Sequence, residues 1–334
     1  MRLLLLSDSH LGFDLPFRPR IERRRRGPDF FANFERALAP ARQGRVDAVL
    51  HGGDLLYRSR VPADLVAMAF EPLKEVASRG TPVYLVPGNH ERSRIPRGLL
   101  ALHPHIFIFD RPRTYLLERD GFVLALAGFP SVRNGVRGTF RSLVEETGWC
   151  RADCQASVLC FHQLVEGATV GPSGYTFRTG DDVIRASDIP GGLTAVLSGH
   201  VHRHQVLTRD LAGRPIPPVL YPGSTERTSF AEKDESKGFL TMGFAGDAED
   251  SAALHWRFHQ LPARPMIELE VTPNGFTGPR LRAHIQRRLD GLPRGSVVRL
   301  RIRGPLPAGC KEVLGAATLR SLAPSSMNIA CSSY

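Results

Sequence analysis

Five clusters hold the side chains that could do chemistry in this chain: Asp8-Ser9-His10, Gly52-Gly53-Asp54, Gly88-Asn89-His90, Phe161-His162 and Gly199-His200-Val201-His202. Taken singly, each has a plain explanation. Asp8 and His10 could be a turn with an N-cap, Gly-Gly-Asp is a common turn, and a lone His162 is more often a hydrogen-bonded core histidine than a ligand. Together, in this order, they do not reduce to packing. Mixed Asp, Asn and His donors suit Mn2+, Fe2+ or Zn2+ better than an all-oxygen Mg2+ site. Hydrolysing a phosphate ester needs charge neutralisation on the phosphoryl oxygens and a hydroxide at neutral pH, and two metals about 3.5–4 Å apart supply both. Ions that close need a bridging anion. Asp54, short and preceded by two flexible glycines, is the bridging candidate. The single residue between His200 and His202 keeps both imidazoles on one side of an extended strand end.

The elements that must position these clusters are legible beside them. Arg2 to Leu6, Val46 to Leu50, Pro82 to Val86, Ser157 to Cys160 and Leu193 to Leu197 are short Val- and Leu-rich runs, read as buried strands, and each ends in one of the clusters. Helical patterns run from Phe30 to Ala41 and from Ala63 to Ser78, the second closing at Gly80. Strands alternating with helices predict an α/β sandwich with its site beyond the carboxyl ends of the strands. Asp, His and Asn are poor strand residues, so packing does not ask for them there. After about residue 262 the pattern changes: Met266 to Val271 and Val297 to Arg303 read as strands, Gly278 to Leu289 and Lys311 to Leu322 as helices. This is a small α+β unit, followed by a run of small and polar residues from Ala323 to Tyr334.

With 42% hydrophobic residues the 334-residue chain can bury a real core. The net charge of +11 favours polyanionic partners, although lysine is confined to Lys74, Lys233, Lys237 and Lys311, and arginine excess also follows from genome base composition. The five cysteines, Cys150, Cys154, Cys160, Cys310 and Cys331, are odd in number and contain no Cys-x-x-Cys pair. That argues against a disulfide framework or a structural zinc site and for a reducing compartment. Leu3 to Leu6 is too short for a signal peptide, and no apolar stretch approaches the roughly 20 residues that span a bilayer. The reading is a cytoplasmic protein with no membrane partner.

The five clusters resemble the calcineurin-like metallophosphoesterase family, whose pattern is Asp-x-His, Gly-Asp, Gly-Asn-His-Asp/Glu, His, Gly-His-x-His; the resemblance covers roughly residues 1–240. It implies a four-layer αββα sandwich over residues 1–262. It implies that Asp8, His10, Asp54 and His202 hold one divalent metal, and that Asp54, Asn89, His162 and His200 hold the other. His90 would not ligate but contact the phosphate and help the leaving oxygen depart, a general-acid role worth roughly 10²–10⁴-fold.

Three further stretches are similar to the SbcD-type DNA repair exonucleases: Asp8 to Gly12 with the Arg-rich segment and Asp29-Phe30-Phe31 beyond it; Gly53 to Arg60; and Tyr221 to Phe230, followed by Glu232, Asp234, Glu235 and Lys237-Gly238-Phe239. That resemblance implies Mn2+-dependent cleavage at DNA ends, an SbcC-like coiled-coil ATPase partner and a small C-terminal α+β DNA-capping domain over 266–334; a homodimer is a further expectation. Arg23, Arg24, Arg25 and Arg26 either hold a nucleic-acid backbone or form a solvated charge run. Arg58 and Arg60 follow the bridging aspartate; Ser224, Thr225 and Arg227 either shape a nucleic-acid channel or form a tight turn. Arg299, Arg301 and Arg303 give the last strand a basic face toward DNA or water. Tyr57 stands where many such nucleases have a histidine, Glu91 replaces the commoner aspartate, and His204 reads as supporting or surface. Two alternatives stay open: a phosphomonoesterase or cyclic-nucleotide phosphodiesterase of the same fold, and a non-catalytic DNA-binding scaffold for an ATPase.

Overall fold

Leucines fill Arg2–Leu6 because this strand is covered on both sides. Leu3 and Leu5 point one way and Leu4 and Leu6 the other, each fully buried, and the two sets enter different hydrophobic clusters. The computed structural model describes residues 1–91, 103–245 and 253–332. Ser333 and Tyr334, at the end of the predicted C-terminal run, lie outside the described residues, as do 92–102 and 246–252 within the predicted first domain.

Among the described residues, two six-stranded sheets make the frame. The first runs in the order Ala253–Gln260, Gly238–Ala245, Arg2–Leu6, Ala48–His51, Val83–Leu85, Ile106–Ile108. The second runs Gln205–Arg209, Pro215–Tyr221, Ala195–Ser198, Ala156–Phe161, Phe122–Gly128, Arg113–Arg119. In both, the strands that end in a candidate cluster are paired in parallel, so their carboxyl ends lie together. Leu3, Leu5, Leu50, Leu126, Val158, Leu197 and Leu220 pack between the sheets. Helices Gly27–Arg42 and Ala63–Ser78 cover the outer face of the first sheet through Phe30, Phe34, Leu38, Phe70 and Leu73. Helix Val136–Glu146 covers the second through Val136, Phe140 and Val144. The order of layers is therefore helix, sheet, sheet, helix, as the family resemblance implies.

The chain divides into two units, the first comprising Met1–Phe13, Gly27–Arg227 and Glu235–Leu261. The second comprises Asp14–Arg26, Thr228–Asp234 and Pro262–Tyr334, so two stretches expected within the first domain cluster with the C-terminal residues instead. Inside that second unit a parallel three-stranded sheet, Met266–Val271, Val297–Ile302 and Asn328–Cys331, packs on helices Gly278–Asp290 and Ala316–Leu322. Two expectations need correction. The helix read from Lys311 to Leu322 is a 3-10 turn, Lys311–Leu314, and a separate helix after Gly315. The polar run after Leu322 contains the strand Asn328–Cys331.

Candidate metal centre

All seven expected ligands come from loops at strand ends, and four of them bend the chain in a way their side chains resist. Asp8, His10, Asp54 and His200 have φ of 51°, 45°, 53° and 79°. This left-handed region costs a non-glycine residue on the order of 1–3 kcal/mol and persists only where the surroundings fix it. The surroundings do: Asp8 N–H donates to the Gly53 carbonyl at 2.8 Å and His10 N–H to the Asp54 carbonyl at 3.0 Å, clasping the two loops. Gly53, at φ 104°, could not be another residue, since a Cβ there would lie 2.3 Å from His162 Nδ1.

The side chains converge in two groups that share Asp54. His10 Nε2 and His202 Nε2 lie 2.9 Å apart, and His202 Nε2 lies 3.9 Å from an Asp8 oxygen. On the other side Asn89 Oδ1 is faced by His162 Nε2 at 3.0 Å and His200 Nδ1 at 2.9 Å. Asp54 Oδ2 stands 3.5 Å from His162 Nε2. Ligand atoms of Asp8, His10 and His202, of Asp8, Asp54 and His162, and of His10, Asp54 and His90 each fall within 4.8 Å of one another. His162 donates its Nδ1 hydrogen to the Gly52 carbonyl at 2.8 Å, which turns Nε2 toward the centre.

This donor set fits divalent metals. Asp8 and Asp54 are two buried carboxylates close together, and among the described residues their ion-pair partners are histidines alone. Burial pushes the Asp8 carboxyl up against the pull of His162 and His202. Burial acts on Asp54 in the same sense, but the pull of His162, with that of His10 and His90, together outweighs it and holds that carboxyl below the usual range. His162 is the reciprocal case: burial disfavours its charge, yet Asp54 beside it carries it up to about 9. Burial, then the charge of neighbouring imidazoles, brings His200 down to about 3 and His10 well below its ordinary value. At neutral pH those two rings therefore present free lone pairs.

His90 sits at the rim. Its N–H donates to Asp54 Oδ1 at 2.9 Å, its Nδ1 bonds the Tyr57 carbonyl, and its Nε2 faces Asp54 Oδ2 at 3.7 Å. Tyr57 thus acts through its backbone, while its ring packs edge-on to Phe13.

Glu91, which in the sequence only replaces the commoner aspartate, organises the site. It is buried and accepts from three backbone N–H groups, those of Gly88 at 2.8 Å, Asp54 at 3.2 Å and Leu56 at 2.8 Å. Burial and the Asp54 charge raise its carboxyl to about 7. His51 supports the first loop through Ser9 Oγ at 2.9 Å and Gly53 N–H at 3.2 Å. His204 is structural, stacked on Phe258 and bonded to the Tyr221 carbonyl.

The proposed nucleic-acid residues divide. Arg58 and Arg60 are exposed, with Arg58 over the Tyr57 ring. Ser224 and Thr225 are fully buried, so neither offers a surface to nucleic acid; Ser224 Oγ donates to the Glu226 carbonyl at 2.9 Å. Arg227 donates to the Glu235 carbonyl through Nε and Nη2. In the second unit Arg23 and Arg25 are ion-paired to Asp14, Arg26 is buried and Arg24 is exposed. The arginines of the Val297–Ile302 strand and just past it are ion-paired: Glu268 with Arg299 and Arg301, and Glu270 with Arg303.

Residues 1–204 match the family model described as calcineurin-like phosphoesterase. A DNA double-strand break repair protein Mre11 from Haloferax volcanii is 30% identical over 284 residues, 83% of this chain and 56% of that protein. The Mre11 protein from Methanopyrus kandleri is 27% identical over 328 residues, 90% of this chain and 64% of that one. This chain therefore spans between about half and two thirds of the length of these relatives. A dimetal phosphatase from Danio rerio superposes at a TM-score of 0.45 and 13% identity, covering 72% of this chain and 91% of that chain, too distant to add to the assignment.

Proposed function

Because this chain belongs to the calcineurin-like phosphoesterase family, we propose that it is a two-metal phosphodiesterase that cleaves DNA at or near ends during repair. The observation that carries the chemistry is that Asp54 stands in two clusters of donor atoms, one with His10 and His90 and one with Asp8 and His162. Bound metals would neutralise phosphoryl charge and activate water. Asp8, His10, Asp54 and His202 would hold one, and Asp54, Asn89, His162 and His200 the other; Mn2+ is proposed, with Fe2+ or Zn2+ as alternatives for this nitrogen-rich set. His90, with Nδ1 tied to a carbonyl, keeps Nε2 toward the site, where it can contact a phosphate and donate a proton to the departing oxygen.

DNA as the substrate is supported by the relatives' names and by exposed arginines following Asp54 in the chain. An SbcC-like coiled-coil ATPase is a proposed partner, on the similarity of the three stretches from Asp8, Gly53 and Tyr221 to SbcD-type nucleases, and a second copy of the chain is proposed beside it. No helix among the described residues is long and apolar enough to cross a membrane. The test is hydrolysis of end-labelled linear and hairpin DNA with and without Mn2+, beside an aryl phosphate. Mn2+-dependent shortening of DNA is expected. DNA left intact while the aryl phosphate turns over would place the enzyme among the phosphatases of the family, and DNA binding with no turnover of either would make it a scaffold.

A further inference from the structure

Lysine is scarce in this arginine-rich chain, and Lys237 is buried to 1% exposure. Its Nζ donates to the backbone carbonyl of His202 at 2.9 Å and to Glu235 Oε2 at 2.9 Å. Arg203 Nε donates to the other oxygen of the same carboxylate at 3.1 Å, and its Nη2 donates to the Gly171 carbonyl at 2.5 Å. The His202 carbonyl also accepts from Ser224 N–H at 3.0 Å. Gly223 presses on the same spot, for a Cβ there would lie 2.8 Å from both the His202 oxygen and the His204 nitrogen. The peptide following His202 is thus gripped by an ammonium, an amide and a close backbone approach.

An ion pair this deep is hard to explain by stability, because apolar residues of the same volume would serve as well. A compact ammonium aimed at one carbonyl does something apolar packing cannot: it fixes the backbone that carries an imidazole. We propose that Lys237, oriented by Glu235 and Arg203, is a positioning residue that sets His202 in its place opposite His10. The proposal rests on the two-metal reading and assigns to this anchor the metal held by Asp8, His10, Asp54 and His202.

Lys237→Met keeps the length and apolar stem of the side chain and leaves Glu235 paired with Arg203. Arg203→Ala changes a partly exposed member of the same network and serves if the first variant does not fold. Mn2+ titration by calorimetry is expected to show two sites in the wild type. In Lys237→Met one site keeps its affinity while the other weakens by about 10–100-fold, the usual effect of losing a group that orients a ligand. Arg203→Ala should weaken that same site by less. In the metal-free protein, amide exchange from Val201 to His204 should quicken in both variants. Equal weakening of both sites, or two sites of wild-type affinity with unchanged exchange, would overturn the anchor and leave the metal pair standing. A wild type that binds fewer than two Mn2+ would overturn the pair and the anchor with it.

Discussion

Asp54 Oδ2 lies 3.5 Å from His162 Nε2, and neither group has solvent around it: their side chains are 3% and 0% exposed. The pair makes metal binding a proton-coupled event. Without a cation, Asp54 holds His162 protonated up to about pH 9, whereas a ligand must be neutral. Below about 9, binding must therefore release a proton from His162. Affinity should rise as pH rises from 7 toward 9, by up to about tenfold per unit, and level off above. Calorimetry in buffers of different ionisation heat should count about one proton released near pH 7.5. No release would place His162 outside the centre.

His90 Nε2 faces Asp54 Oδ2 at 3.7 Å, and its proposed part is contact with the phosphate and not with a metal. His90→Ala should lower the rate of ester hydrolysis by roughly 10²–10⁴-fold. The Mn2+ stoichiometry should stay at the wild-type value. Loss of a metal in this variant would instead make His90 a ligand with His10 and Asp54, a grouping the distances also permit.

Glu91 satisfies three backbone N–H groups from the loops that carry Asp54 and Asn89. Glu91→Ala strands those donors in the interior and should cost about 2–4 kcal/mol in urea unfolding of the metal-free protein. Glu91→Gln keeps one acceptor oxygen and should cost about half as much. Equal stability of wild type and both variants would remove Glu91 from the frame of the site.

Exposed and paired arginines should differ in what they give to DNA binding. Arg58→Ala with Arg60→Ala should lower the slope of log affinity against log salt by about two, one for each phosphate no longer neutralised. Arg301→Ala, whose partner is Glu268, should leave that slope nearly unchanged. The reverse ranking, measured by fluorescence anisotropy with a short duplex, would move the DNA-binding surface to the second unit.

The convergence of candidate donors was legible in the sequence because the clusters stand where a buried strand should give way to a turn, and Asp8, Asn89 or His202 there has no packing reason. The layers were legible because Arg2 to Leu6 and its like are apolar on both faces. What escaped depends on residues far apart in the chain. Lys237 reveals its role only through the carbonyl of His202, and Glu91 only through Asp54 and Leu56 N–H groups more than thirty positions away. The alternating arginines from 299 to 303 promised a basic face, but the parallel register sets Glu268 opposite Arg299 and Glu270 opposite Arg301. Ser224 and Thr225 are polar enough for a surface, yet Ser224 pairs with Ser7 beside the central strand.

In the proposed centre one carboxylate, that of Asp54, joins two cations. Electron paramagnetic resonance of Mn2+-loaded protein, with metal counted per chain, tests it directly. Two Mn2+ per chain with an exchange-coupled spectrum is the predicted result, and Asp54→Asn should abolish the coupling and lose at least one metal. Two uncoupled ions, a single ion, or a coupled pair that survives Asp54→Asn would contradict it.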